Sequence, residues 1–95
     1  MRGNRLVKLY KDGRVWIPVE IRKRYRGYKF GIKVEDGRIV FDPFEGENRV
    51  FISDGTVYIP AKIREQFRNC YFIIHVENGR IVLEPVRDQH DKGAV

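Results

Sequence analysis

Apolar and polar positions along the chain alternate in short bursts. Val15 and Ile17 interleave with Arg14 and Trp16, and Tyr28, Phe30, Ile32 and Val34 with Lys29, Gly31, Lys33 and Glu35. Cys70, Phe72, Ile74 and Val76 hold a matching face later in the chain. A period of two describes strands with one face turned to a core. Between the bursts stand Asp12-Gly13, Asp36-Gly37, Asp54-Gly55 and Asn78-Gly79. Such dipeptides form the type I′ hairpin turn, which needs a positive φ at both central residues. Arg38-Ile39-Val40-Phe41 then reads as a return strand stopped by Pro43.

The period changes between the hairpins. Ile21 and Tyr25, and later Ile63 and Phe67, are spaced i, i+4 and predict one short helix in each place. Pro18 and Pro60 suit the first helical position, where a missing N–H costs nothing. Gly27 and Asn69 follow the helices; both residue types tolerate the left-handed conformation that ends a helix.

The pattern occurs twice. Residues 12–44 and 54–86 align without a gap at a shift of 42, with 17 of 33 positions identical and all four prolines matched. The expected architecture is mainly β with two short helices, a tandem β-β-α-β-β arrangement over 5–44 and 47–86. A short linker runs from Pro43 to Glu47, and a loose polar tail covers 87–95. A unit of about 40 residues is near the lower limit for burying a core alone, so the two are expected to complete each other as a single domain.

Charge adds a partner class. The 95 residues carry a net +6 with a pI of about 9.7. Such a balance favours a polyanion, nucleic acid before an anionic membrane surface. Residues 5–46 hold 11 Lys/Arg against 6 Asp/Glu, whereas 47–88 hold 6 of each, so the excess lies in the first unit. The single Cys70 allows no intrachain disulfide, and the start of the chain has no apolar run resembling a signal peptide. The expectation is a cytoplasmic protein of a prokaryote or virus.

GRVWIPVEIRKR followed by VEDGRIVFDP resembles the SpoVT/AbrB-like family of swapped-hairpin DNA-binding domains, and VYIPAKIREQF followed by VENGRIVLEP resembles it again. The resemblance implies two units interlacing their hairpins into a small barrel, here as a pseudo-dimer within one chain. It departs from the family in one place: Gly27 and Asn69 run almost directly into the next strand, where the family has a longer link. DNA contacts implied by the motif are Arg14, Arg22 and Lys23 in the first unit. In the second they are Arg64, with Thr56 and Glu65 in the remaining slots.

Charge places Arg24, Arg26, Lys8 and Lys11 on the same nucleic-acid-binding list. Arg14, beside a hairpin turn, is the residue expected to enter a groove, since arginine pairs bidentately with guanine edges. Arg22, Lys23, Arg24 and Arg26 are expected to hold the phosphate backbone, the alternative being a solvated helix face. Arg38 and Arg80 read as structural, pairing with Glu35 and Glu77. Trp16 and Tyr58 read as packing more than stacking, Tyr10 is ambiguous, and Cys70 is expected to be inert core.

His75 and His90 have no second histidine or cysteine at ligand spacing, so no metal is expected. Ser53 lacks a base, and no glycine-rich phosphate loop is present. Neither catalysis, a cofactor, a small-molecule substrate nor a membrane is expected. The leading expectation is a double-stranded DNA-binding regulator or architectural factor, with the first unit principal. An alternative is the antitoxin of a toxin–antitoxin pair, disfavoured by the nine residues after Val86. A further reading makes the second unit a homodimer surface through Tyr71 and Ile73.

Overall fold

The computed structural model describes residues 5–44, 46, 50–68 and 70–86. Asn69, His90, the tail from Arg87 and part of the linker, including Glu47, lie outside the described residues. The chain is mainly β with two short helices. Strands β1 (Arg5–Lys8) and β2 (Arg14–Trp16) precede helix α1 (Val19–Arg24), β3 (Lys29–Glu35) and β4 (Arg38–Asp42). Then come β5 (Val50–Phe51), β6 (Thr56–Tyr58), α2 (Ala61–Arg64) with a 3₁₀ turn at Glu65–Phe67, β7 (Tyr71–Glu77) and β8 (Arg80–Val86).

Six strands form a curled antiparallel half-barrel in the order β1-β7-β8-β4-β3-β5, and β2 with β6 form a separate two-stranded ribbon. Strands from the two ends of the sequence therefore lie side by side. In the ribbon Arg14 faces Tyr58, Val15 faces Val57 and Trp16 faces Thr56. Shifting the first pair by 42 gives the third, so the ribbon has a local twofold axis at Val15 and Val57. The ladder between β4 and β8 has the same property about Val40 and Val82.

Three of the four expected I′ turns form, with positive φ at Asp36 and Gly37, Asp54 and Gly55, and Asn78 and Gly79. The expectation for Asp12-Gly13 is overturned: Gly13 alone has positive φ, +96°. The Gly13 N–H donates to the Tyr10 carbonyl at 2.9 Å, and the Tyr10 N–H to the Arg14 carbonyl at 3.0 Å. Lys11, Asp12 and Gly13 thus make a three-residue loop, a tight turn closed by a left-handed glycine. The second tip spans only Asp54 and Gly55, with Ser53 and Thr56 exchanging backbone bonds of 2.8 and 2.9 Å. The gapless shift of 42 consequently fails upstream of the tips. Lys8 pairs with Tyr71, whereas Lys29, 42 residues before Tyr71, pairs with Phe51, 43 residues after Lys8.

Two other details differ from expectation. Pro18 and Pro60 are caps rather than first helical residues, with ψ of 145° and 149°. Their carbonyls open the helical ladder while their own backbone stays extended, which defines a cap. Pro43 follows β4 as expected, and Asp42 accepts the Phe44 N–H at 2.8 Å to turn the chain. Pro85, its counterpart, instead lies within β8 opposite Phe72.

One core joins both halves. Val15, Ile17, Ile21, Phe30, Ile32, Ile39 and Phe41 pack with Val57, Ile59, Ile63, Phe72, Ile74, Ile81 and Leu83. Phe30, Phe41 and Phe72 are wholly buried. Each contributes about 1.5–3 kcal/mol over an exposed position. Cys70 is half-buried against this core. Tyr28 and Val34, expected on the same face, are exposed because they stand at the ends of the β3 alternation.

On the outer face of the sheet Arg38 pairs with Glu77 at 3.4 Å and Glu84 at 3.2 Å, and Arg80 with Glu35 at 3.1 Å. Both arginines are structural as expected, but the pairs are crossed: each reaches the glutamate of the other half because β4 and β8 are neighbours, and Glu84 was not foreseen.

Candidate nucleic-acid interface

The β2–β6 ribbon buries Val15 and Val57 and turns the alternate side chains outward. Trp16 and Tyr58 are each 53% exposed. The expectation that they pack is therefore overturned: with Val15, Ile17, Val57 and Ile59 filling the inner face, the alternate positions have no core to enter. The outer face of the ribbon holds Arg14 beside Tyr58 and Trp16 beside Thr56.

Arg14 is ion-paired across the first tip. Its Nε donates to Asp12 Oδ2 at 2.8 Å, its Nη2 lies 2.7 Å from the same oxygen, and its backbone N–H reaches Asp12 Oδ1 at 3.2 Å. The side-chain hydrogen bond from Arg14 is the main cause holding the Asp12 carboxyl below its usual range, and the same bond raises Arg14. A paired guanidinium retains further N–H donors for a ligand. Asp12 is the residue that motif reading missed. Its signal was a carboxylate two residues before an arginine across a tight loop, a spacing suited to bonding the backbone N–H.

Each end of the ribbon is bracketed by the helix of the opposite half. Ile17 N–H donates to the Gly55 carbonyl at 2.9 Å, and Ile59 N–H to the Gly13 carbonyl at 2.7 Å. Side-chain atoms of Arg22 and Trp16 crowd the position a Gly55 side chain would take, and those of Arg64 and Tyr58 the equivalent place at Gly13. Arg22 Nε also donates to the Ile17 carbonyl at 3.0 Å, which ties α1 to the ribbon. The Arg64 guanidinium lies 5.3 Å from the Tyr58 ring centre, and its Nη2 donates to the Tyr58 hydroxyl at 3.4 Å.

This crossing redistributes the charge. The first tip, with Lys8, Lys11 and Arg14 against Asp12, adjoins Lys62, Arg64 and Arg68 against Glu65: a net of four positive charges. The second tip, with Asp54, adjoins Arg22, Lys23, Arg24 and Arg26, and Glu20 there is paired with Arg5 at 3.1 Å: a net of three. Both ends of the ribbon are positive, although the two halves of the sequence differ by five charges.

Of the remaining predicted contacts, Lys23, Arg24 and Arg26 are exposed on and after α1. Lys11 joins Arg64 and Arg68 around an open cleft of about 450 Å³ with Leu9, Tyr10 and Ala61. Lys8 Nζ stands 5.6 Å from both the Tyr10 and Tyr71 rings, over the β1–β7 ladder. Glu65 is exposed beside the same cleft, and Thr56 donates its hydroxyl to the Ser53 carbonyl at 3.0 Å. Tyr71 is exposed and Ile73 half-buried on β7.

Among the described residues, no group of three histidine, cysteine or carboxylate side chains is placed to hold a metal, and no helix is long and apolar enough to cross a membrane. Compared with protein-family models, curated proteins and solved structures, the chain matches none.

Proposed function

We propose that the chain is a pair of interlocked β-β-α-β-β units, a swapped-hairpin pseudo-dimer of the AbrB-like kind, and that it binds double-stranded DNA. On this reading it is a transcriptional regulator or architectural factor, not an enzyme. The observation that carries the proposal is the ribbon: two short strands present Arg14, Trp16 and Tyr58 outward between helices bearing Arg22 and Arg64. A two-stranded β-ribbon fits the major groove of B-DNA, which is about 12 Å wide. The flanking cations of both helices supply phosphate contacts, which position the protein without reading sequence. The interlocked reading is supported by the two symmetric ladders and by hairpins that pair across the halves of the sequence. Because the charge reaches both ends of the ribbon, both halves serve in binding, and the first is not the sole DNA-facing unit.

The test is a salt titration of binding to random and genomic duplexes. The logarithm of the affinity should fall linearly with log salt, with a slope of about −0.9 per phosphate neutralised. Lys23→Ala should reduce that slope by about one. Arg14→Ala should weaken binding to a preferred sequence by about 1–3 kcal/mol. A large ratio of specific to random affinity identifies a regulator, and a ratio near one an architectural factor. Affinity that ignores both salt and the two substitutions sinks the reading.

A further inference from the structure

Granting duplex binding through the ribbon, we propose that the protein reads a non-palindromic DNA site in one fixed orientation. A binding site takes its symmetry from the protein, and a true twofold dimer calls for two matching half-sites. Here the backbone keeps the twofold axis at Val15 and Val57 while the side chains around it break it. On one side of the axis stand Arg14, locked to Asp12, and Tyr58, with Arg64 over its ring. On the other, the equivalent places hold Thr56, its hydroxyl bonded to the Ser53 carbonyl, and Trp16 beside Arg22.

The first side offers a charged fork that suits a guanine edge. The second offers a short hydroxyl and an indole, which suit a methyl or sugar surface. The backbone breaks the symmetry as well. The first tip is one residue longer, and Lys11, Arg64 and Arg68 surround a cleft there. Ser53 and Asp54 stand at the shorter tip. Reversing the molecule on its site would exchange a net of four positive charges for a net of three, and Arg14 for Thr56. The two placements are chemically different complexes.

Positions 20 and 62 are equivalent under the shift of 42, and Glu20 and Lys62 are both exposed. Glu20→Cys and Lys62→Cys, each in a Cys70→Ala background, can carry an iron chelate that cleaves nearby DNA. A preferred duplex is first selected from a random pool with the unmodified protein. Cleavage is then read with that duplex saturated. Each chelate should cut a single flank of the selected sequence, and the two should cut opposite flanks. Equal cutting at both flanks by either chelate, a palindromic selected site, or binding with no preferred sequence overturns the fixed orientation while leaving DNA binding intact. Absence of any duplex binding instead removes the reading on which the orientation rests.

Discussion

The two hairpin tips share an Asp-Gly and face equivalent surroundings, yet they are built differently. The second closes in two residues, Asp54 and Gly55, with both φ positive. The first spends three, and its Asp12 is released from the left-handed conformation. A residue freed in this way can use its side chain, and Asp12 uses it to hold Arg14. At the second tip the corresponding Asp54 sits at φ 53° and position 56 is threonine. A single extra residue therefore changes a turn type, frees a carboxylate and fixes an arginine. The first link lives in the backbone and the last at the proposed interface. Divergence between two near-copies need not accumulate in the contact residues themselves; a loop length can supply it.

The largest effects belong to the core, where the halves are equivalent. Phe30→Ala and Phe72→Ala, 42 positions apart and both fully buried, should each cost about 3–5 kcal/mol, seen as a shift in the denaturant midpoint. A cost that differs greatly between them breaks the equivalence of the halves.

The tips should separate next. An alanine at Gly13 would place Cβ 3.1 Å from the Ile59 carbonyl oxygen and 3.0 Å from Tyr58 Cε1, at φ +96°. At Gly55 the nearest atoms are the Arg22 guanidinium at 2.9 Å and Trp16 Cζ3 at 3.4 Å, at φ +80°. Side-chain ends give way more easily than backbone. Gly13→Ala should therefore cost about 2–3 kcal/mol and Gly55→Ala about 1–2 kcal/mol in thermal melts. The reverse order contradicts the stated packing.

A smaller asymmetry is a single hydroxyl. Tyr25 donates to the Gly79 carbonyl at 3.0 Å, whereas Phe67, its counterpart, has nothing to donate. Tyr25→Phe should cost about 1 kcal/mol and make the helices more alike. A stability unchanged in urea melts would show that water replaces the bond freely.

The smallest effect concerns pH. The hydrogen bond from Arg38, with a further contribution from His75, holds Glu84 below its ordinary value of 4.5. A folded-state value below the unfolded one means stability that is present above that ordinary value and lost as pH falls through the lowered one. Glu84 is 46% exposed, so the gain is under about 1 kcal/mol. Glu84→Gln should flatten the acid limb of a stability–pH curve, and an identical limb denies the pair any role.

Much of this was legible in the chain. Strands, helices and three turns follow from local chemistry: alternation at Val15 and Ile17, the i, i+4 pair of Ile21 and Tyr25, and paired turn residues such as Asn78-Gly79. The location of the candidate site was legible too, since Arg14 and Arg64 both meet the ribbon. What escaped depended on residues distant in sequence. Trp16 and Tyr58 look like core in isolation. Only the ribbon, whose inner face is already filled by valine and isoleucine, shows why they point outward. The charge imbalance between halves was real in sequence but misleading in space, because each tip rests on the helix of the other half. The first turn was misread because Lys11, the residue that lengthens it, is invisible to a dipeptide rule.

The valine pairs on the local axes have a consequence for how such a chain can vary. At Val15 and Val57, and at Val40 and Val82, a side chain faces its own counterpart across the ladder. A change made in both halves there would be felt twice at one contact, and a change in a single half must fit its counterpart directly. Away from the axes a position meets a different neighbour, so equivalent positions can differ, as Arg14 and Thr56 do. All four axis positions are valine.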